Sequence, residues 1–272
     1  MASILNNVSA LGATRQLGVT NAGLQQTIER LTTGRRINRA SDDAAGLGIS
    51  NQLGADIRIA SQGKRNANDG ISYLQVADSV LDEVTNLLTR AAELAEQAKT
   101  GTISNTNRTA INEEFQNIIK TIADIGQSTK FNGATVFTSG ALNVSVGGFS
   151  QVSVTVGTIS SDSNTALGLT ASTNNLSTDT AATTAAGLIT TALETVSTTR
   201  AKLGASQQKL TSVSNALGIQ VENFTAAYSQ IRDANVADEI VNLTKFQILN
   251  QSGTSALGQA NQSQQQILAL LR

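Results

Sequence analysis

Residues 40–99 read ASDDAAGLGISNQLGADIRIASQGKRNANDGISYLQVADSVLDEVTNLLTRAAELAEQAK, a helix-compatible run without a proline. Every seventh residue from Ala67 is apolar: Ala67, Leu74, Leu81, Leu88, Ala95. Ile57 and Ile71 fall at the matching offset, which makes this a heptad seam. A second stripe runs beside it through Tyr73, Val76, Val80, Val84, Leu87, Ala91 and Leu94, again in threes and fours. One exposed amphipathic helix needs a single stripe of roughly 100°. Two adjacent stripes require cover on more than one side, from the rest of the chain or from further copies of it.

Two further seams can supply that cover. Ile111, Phe115, Ile118, Ile122 and Ile125 step four-three-four-three, and a polar turn at Ser104 to Arg108 makes this helix antiparallel to the first. Leu203, Leu210, Leu217, Phe224 and Ile231 follow in strict sevens, with Val196, Val221 and Tyr228 alongside, in a helix starting near Ala181. Between them, Asn132-Gly133 is a hairpin-turn signal. Leu142 to Val146 and Val152 to Val156 alternate with period two around Gly147-Gly148 and predict a small β-hairpin. The stretch 157–199 is rich in Ser and Thr and predicts an exposed loop running into that helix. Composition alone suggests O-glycosylation of this stretch.

The two ends differ from this middle. Ile4 and Leu11, then Leu17, Leu24 and Leu31, stand in sevens, and only Arg15, Glu29 and Arg30 carry charge before residue 34. Gly34 can end this helix, and Ser41, Asp42 or Asp43 can cap the next. In residues 236–272, Leu243, Leu257 and Leu271 stand on a seven-residue spacing whose intervening positions are the polar Asn250 and Gln264. Helices with such weak seams are marginal in water when isolated. Both ends are therefore expected to order against partners, with two ordinary surface helices of a four-helix bundle as the alternative. Leu17, Leu24, Leu31, Leu243, Leu257 and Leu271 are the candidate assembly residues.

Composition narrows the function. The 272 residues contain no Pro, Cys, His or Trp, although average usage near 5% predicts about 13 prolines. Without His or Cys the commonest general bases, thiolate nucleophiles and soft metal ligands are missing, so no enzyme, cofactor or metal site is expected. The acidic pairs Asp42-Asp43, Asp82-Glu83, Glu113-Glu114 and Asp238-Glu239 point about 100° apart on a helix and do not converge. Asn66 to Gly70 faintly resembles a calcium loop. Aligning its Gly puts Arg65 and Val76 where acidic residues belong, so the match fails. A net charge of −1 from interspersed residues gives no basis for a nucleic-acid partner. No apolar run reaches transmembrane length, and no secretory signal is expected at the N-terminus.

Several segments taken in order resemble bacterial flagellins. They are LTTGRRIN at 31–38, DDAAGL at 42–47, RNANDGIS at 65–72, QILNQSGTS at 247–255, QANQ at 259–262 and LLR at 270–272. The resemblance weakens between about 135 and 195, where many flagellins carry large outer domains and this chain has little or none.

The resemblance implies a mainly α fold, a long antiparallel helical bundle with a small β-hairpin region. The N- and C-terminal helices would pair as a coiled coil in the assembled filament. The implied division is 1–44 (inner-tube helix and spoke, D0), 45–131 (bundle helices, D1), 132–180 (hairpin and short variable loop), 181–235 (D1) and 236–272 (D0). The implied function is the self-assembling subunit of the flagellar filament for swimming, with a hook–filament junction protein as the alternative. Export would be through the flagellar type III apparatus to the extracellular filament, without a cleaved signal. The implied partners are copies of itself, an export chaperone, the filament cap and the hook-junction proteins. A vertebrate innate immune receptor is a further implied partner, with Arg90, Leu94 and Glu114 matching its contact positions in the family. Thr89 and Ala92 depart from the Gln and Arg common in enterobacterial flagellins. Leu268, Leu270 and Leu271 match C-terminal leucines read by cytosolic immune sensors, and packing in the inner tube is the competing role.

Overall fold

The computed structural model describes residues 7–148, 151–159, 167–169 and 174–270, with the side chains of 264 and 267–270 excluded. In chain order the elements are α1 (Val8–Thr33), α2 (Ala44–Lys99), α3 (Asn105–Ser128), β1 (Lys130–Phe131), β2 (Ala134–Thr135), β3 (Ala141–Val144), β4 (Val152–Thr155), α4 (Asp179–Arg232) and α5 (Val236–Leu270). The protein is mainly α, as the heptad spacing predicts. Its contacts divide it into two compact units, residues 58–221 and residues 1–57 with 222–272. The division falls inside α2 and α4. Periodicity shows where a helix ends, but not where along its length its packing partners change.

Residues 58–221 hold the core. Ala67, Leu74, Leu81, Leu88 and Ala95 are each at most 1% exposed. Packed on them are Phe115, Ile118, Ile119 and Ile122 of α3 and Leu203, Leu210 and Leu217 of α4. Both partners run antiparallel to α2. Arg90 meets Glu114 and Arg108 meets the Ala98 carbonyl on one side; Asn68 meets Ser214 and Asp78 meets Arg200 on the other. The buried Arg108 guanidinium also donates to the Thr100 carbonyl and to Asn105 Oδ1, which fixes the α2–α3 turn. Ser104 caps α3 by accepting the Asn107 N–H.

The second stripe of α2 is met by the same chain. Val84, Ala91 and Leu94 are buried, while Tyr73, Val76, Val80 and Leu87 pack half-buried on the core.

The Asn132-Gly133 turn joins β1 to β2 with φ of 49° and 81°, the two positive values that a type I′ hairpin needs. β3 and β4 pair antiparallel with Leu142 opposite Val154 and Val144 opposite Val152. Val146 and Val156 lie beyond the ladder but are still buried. Gly63 lets this hairpin approach α2, because a Cβ there would stand 2.7 Å from the Val146 carbonyl carbon. The Tyr73 hydroxyl donates to the Val136 carbonyl at 2.8 Å, and its ring packs edge-on against Phe131. Burial raises the Tyr73 phenol pKa above its ordinary value.

The exposed loop expected from residue 157 into the helix starting near Ala181 is corrected by its described residues. Ile159, Leu167, Leu169 and Leu176 are buried. The Leu176 N–H donates to Asn112 Oδ1 and the Asn174 carbonyl accepts from Gln116. Ser/Thr bias concealed four apolar residues that the core takes in. Residues 160–166 and 170–173, part of the stretch suggested for O-glycosylation, lie outside the described residues.

In the other unit, α1 and α5 run antiparallel. Asn7 pairs with the Ala260 carbonyl, Asn21 with Asn250 and Arg30 with Glu239. The partner that each marginal helix needs is therefore supplied by the same chain. Asn7 also caps α1, and Gly34 ends it at φ 67°. Among the three candidate caps of α2 it is Asp43 that takes the role, accepting the Gly46 N–H at 2.8 Å. Asp42 instead closes the preceding turn, accepting N–H bonds from Asn38 and Arg39. Those backbone bonds, with Gln26 and Arg30 adding to them, hold its carboxyl below the usual carboxylate range. The α1–α2 link is stitched to the α4–α5 link. The Arg36 N–H donates to the Arg232 carbonyl, and the Ala234 N–H donates to the Gly34 carbonyl.

Candidate assembly surface

The pairing of α1 with α5 uses up one stripe of each. Leu17, Leu24 and Leu31 of α1 and Leu243 and Leu257 of α5 are all half-buried. Leu17 lies beside Gly253, and the Phe246 ring sits over Gly23, where a Cβ would come within 2.6 Å of it. Thr20 and Thr27, seven apart, are buried in α1. These five leucines therefore form the seam between the chain's own two ends. The sixth, Leu271, lies outside the described residues, as do the side chains of Leu268 and Leu270.

The surface left open is a different set. Val8, Leu11, Val19 and Ile28 on α1 are 72%, 62%, 62% and 47% exposed. On α5, Val236, Ile240, Val241, Ile248 and Leu249 are likewise exposed. Ile240, Val241, Ile248 and Leu249 line a shallow apolar groove with Thr244 and Lys245. Seven-residue spacing does not point to most of these residues. The signal was present in Ile240-Val241 and Ile248-Leu249, two adjacent apolar pairs that one seam cannot bury together. Contiguous exposed apolar surface of this kind marks a site of association. Each such side chain fully covered contributes roughly 1.5–3 kcal/mol.

The two units differ in a way that bears on this surface. Apart from Ile37, every buried apolar residue among those described lies within 58–221. Conversely, apart from Ile59 and Ile219, every large exposed apolar residue among those described lies in 1–57 or 222–272. One unit holds the core, and the other presents unpartnered apolar side chains.

The candidate recognition residues are placed unevenly. Arg90 Nε and Nη2 donate to Glu114 Oε1 at 3.0 and 2.9 Å, and Nη1 donates to Glu93 Oε2 at 3.0 Å. Glu93 and Glu114 together raise the Arg90 pKa. The side chains of Arg90 and Glu114 are about half exposed, so the structure joins these two at the surface. Leu94 is 2% exposed and belongs to the core. Its place on the second stripe turns it inward, away from the surface that Arg90 and Glu114 share. Residues 66–70, the failed calcium-loop match, lie inside α2, where a helical backbone cannot wrap an ion.

No helix among the described residues is long and apolar enough to cross a membrane. The bacterial flagellin N-terminal helical region matches residues 4–141, and the bacterial flagellin C-terminal helical region matches residues 186–271. The chain is 36% identical to flagellin FlaB1 of Treponema pallidum (strain Nichols), with 99% of each chain covered. It is 37% identical to a flagellin of Halalkalibacterium halodurans and 36% identical to the flagellin of Bacillus subtilis (strain 168), again over 99% of each chain. Matches along the whole length, on a mainly α chain of 272 residues with no room for a large outer domain, place it: this chain belongs to the bacterial flagellin family.

Proposed function

We propose that copies of this chain assemble into the helical flagellar filament that drives swimming, and that the outward faces of α1 and α5 join one copy to the next. The observation that carries this reading is the separation of core from open apolar surface between the two units. A monomer gains nothing from Val241 or Ile248 exposed to water, whereas a polymer can bury both. Family membership supports a filament subunit, and a structural role for it in place of an enzymatic one. Deleting residues 236–272 tests the reading directly. The expected product is a helical monomer that does not polymerise, and filaments from it in electron micrographs would overturn the role given to α5.

The same reading includes export to the cell exterior without a cleaved signal. It also includes transient partners in an export chaperone, the filament cap and the hook-junction proteins. A hook–filament junction role is not favoured, since the relatives matched over their whole length carry the name flagellin. A second role is recognition of the free subunit by a vertebrate innate immune receptor through Arg90 and Glu114. Support comes from their joint exposure across the α2–α3 pair. Purified monomer applied to receptor-bearing cells should stimulate them, and Arg90→Ala should abolish the response. A response indifferent to that substitution, or none at any concentration, would remove this role.

A further inference from the structure

The leucine seam between α1 and α5 does not specify its own register. Leu17, Leu24 and Leu31 repeat every seven residues, and Leu243 and Leu257 are fourteen apart. Sliding α5 along α1 by seven residues therefore keeps these positions on the facing stripe, with Asn250 moved to the place of Leu243 or Leu257. Such a slide is a shift of about 10.5 Å at 1.5 Å per residue. The seam nevertheless holds two features that only one register satisfies.

The first is the pair Arg30 and Glu239. Arg30 Nη1 meets Glu239 Oε1 at 3.2 Å, with the Glu239 side chain 9% exposed. Neither Glu239 Oε2 nor Arg30 Nε has a hydrogen-bond partner among the described residues. The pair is thus a single contact between a half-buried guanidinium and a buried carboxylate, a poor source of stability. A slip of seven residues would set Glu239 against Gly23 in one direction or beyond the end of α1 in the other, stranding a buried carboxylate. The second feature is Phe246, whose ring occupies the space above Gly23 that any Cβ would enter. After the same slips Phe246 would face Gln16 or Arg30.

We infer that Arg30–Glu239 and Gly23–Phe246 together form a register lock, which carries along the helices the alignment of α1 with its own chain's α5 that the Gly34–Ala234 and Arg36–Arg232 backbone bonds set at their base. This inference rests on the proposed assembly function. Register decides how Val19 and Ile28 line up with Ile240, Val241 and Ile248, and so composes the surface offered to another copy. A polar group buried in a heptad seam fixes register at a cost in stability, and the half-satisfied pair fits that role.

The full chain lacks cysteine, so thiol crosslinks read the register without background. Cysteines are introduced in pairs at Asn21 and Asn250, at Asn21 and Leu243, and at Asn21 and Leu257. They are oxidised at concentrations too low for polymerisation, and single-chain crosslinks are separated from dimers by gel mobility. With the lock intact, the 21–250 pair should crosslink and the other two should not. With Arg30→Met, Glu239→Leu and Phe246→Leu combined, crosslinks should appear at 21–243 or 21–257 and the exclusivity of 21–250 should be lost. The charge swap Arg30→Glu with Glu239→Arg, made with Phe246 retained, should keep 21–250 exclusive. The inference is overturned if the triple variant crosslinks only at 21–250. It is also overturned if that variant crosslinks at none of the pairs, since these residues would then supply pairing and not register. A cysteine-free chain that forms no filaments would count against the assembly reading alone, because the crosslinks are read on single chains.

Discussion

Leu81 sits at the centre of the α2 seam at 1% exposure, and its removal should leave a cavity that its neighbours only partly fill. Leu81→Ala is expected to cost about 2–5 kcal/mol, measured by denaturant unfolding. Arg90→Ala should leave the melting temperature unchanged, because its ion pairs with Glu93 and Glu114 are exposed to solvent. A clear fall in melting temperature would mean that Arg90 is structural and would weaken its assignment to recognition.

Asp42 predicts a pH dependence. Its folded-state pKa is lowered by the Arg39 and Asn38 N–H bonds. The unfolded chain therefore takes up the proton first as pH falls. The stabilisation is complete above the ordinary carboxylate pKa of about 3.9 and is lost as pH drops through the lower folded value. Asp42→Asn should flatten that acid limb of the stability curve. An unchanged limb would show that the turn does not depend on this charge.

At the scale of elements, Gly23 carries the sharpest expectation. Gly23→Leu fills the space of the Phe246 ring and should separate α1 from α5, read as faster proteolysis of both ends with the melting of residues 58–221 unaltered. The helices themselves were legible in the sequence. Sevens through Leu74, Leu81 and Leu88, and through Leu203, Leu210 and Leu217, name the buried positions one by one. Asn132-Gly133 and the alternating valines likewise place both hairpins. Two features were not legible. Ile159, Leu167, Leu169 and Leu176 follow no period, because each is buried singly and not as part of a face. On α1 and α5 the spacing located the seam, while adjacency, as in Ile240-Val241, located the open surface. For Arg90, Leu94 and Glu114 the sequence offers only a resemblance, and a matching letter does not say that Arg90 and Glu114 reach the surface while Leu94 turns into the core.

For the whole molecule, the separation of core from open surface implies unequal stability. Units with few buried apolar contacts open first. Brief trypsin treatment of the monomer should cut within α1 and α5, at sites such as Arg15 and Lys245, while residues 58–221 persist as a resistant fragment. Equal cutting throughout would place the two units on one cooperative transition.

Filament formation is the use that the exposed face of α5 is proposed to serve, and negative-stain electron microscopy of Val241→Asp and Ile248→Asp tests it most directly. Both residues are more than half exposed, so each change should leave the monomer's helicity intact. Under conditions where the unaltered chain forms filaments, the charged variants should remain monomeric. Normal filaments from both variants would contradict the claim that this face joins one copy to the next.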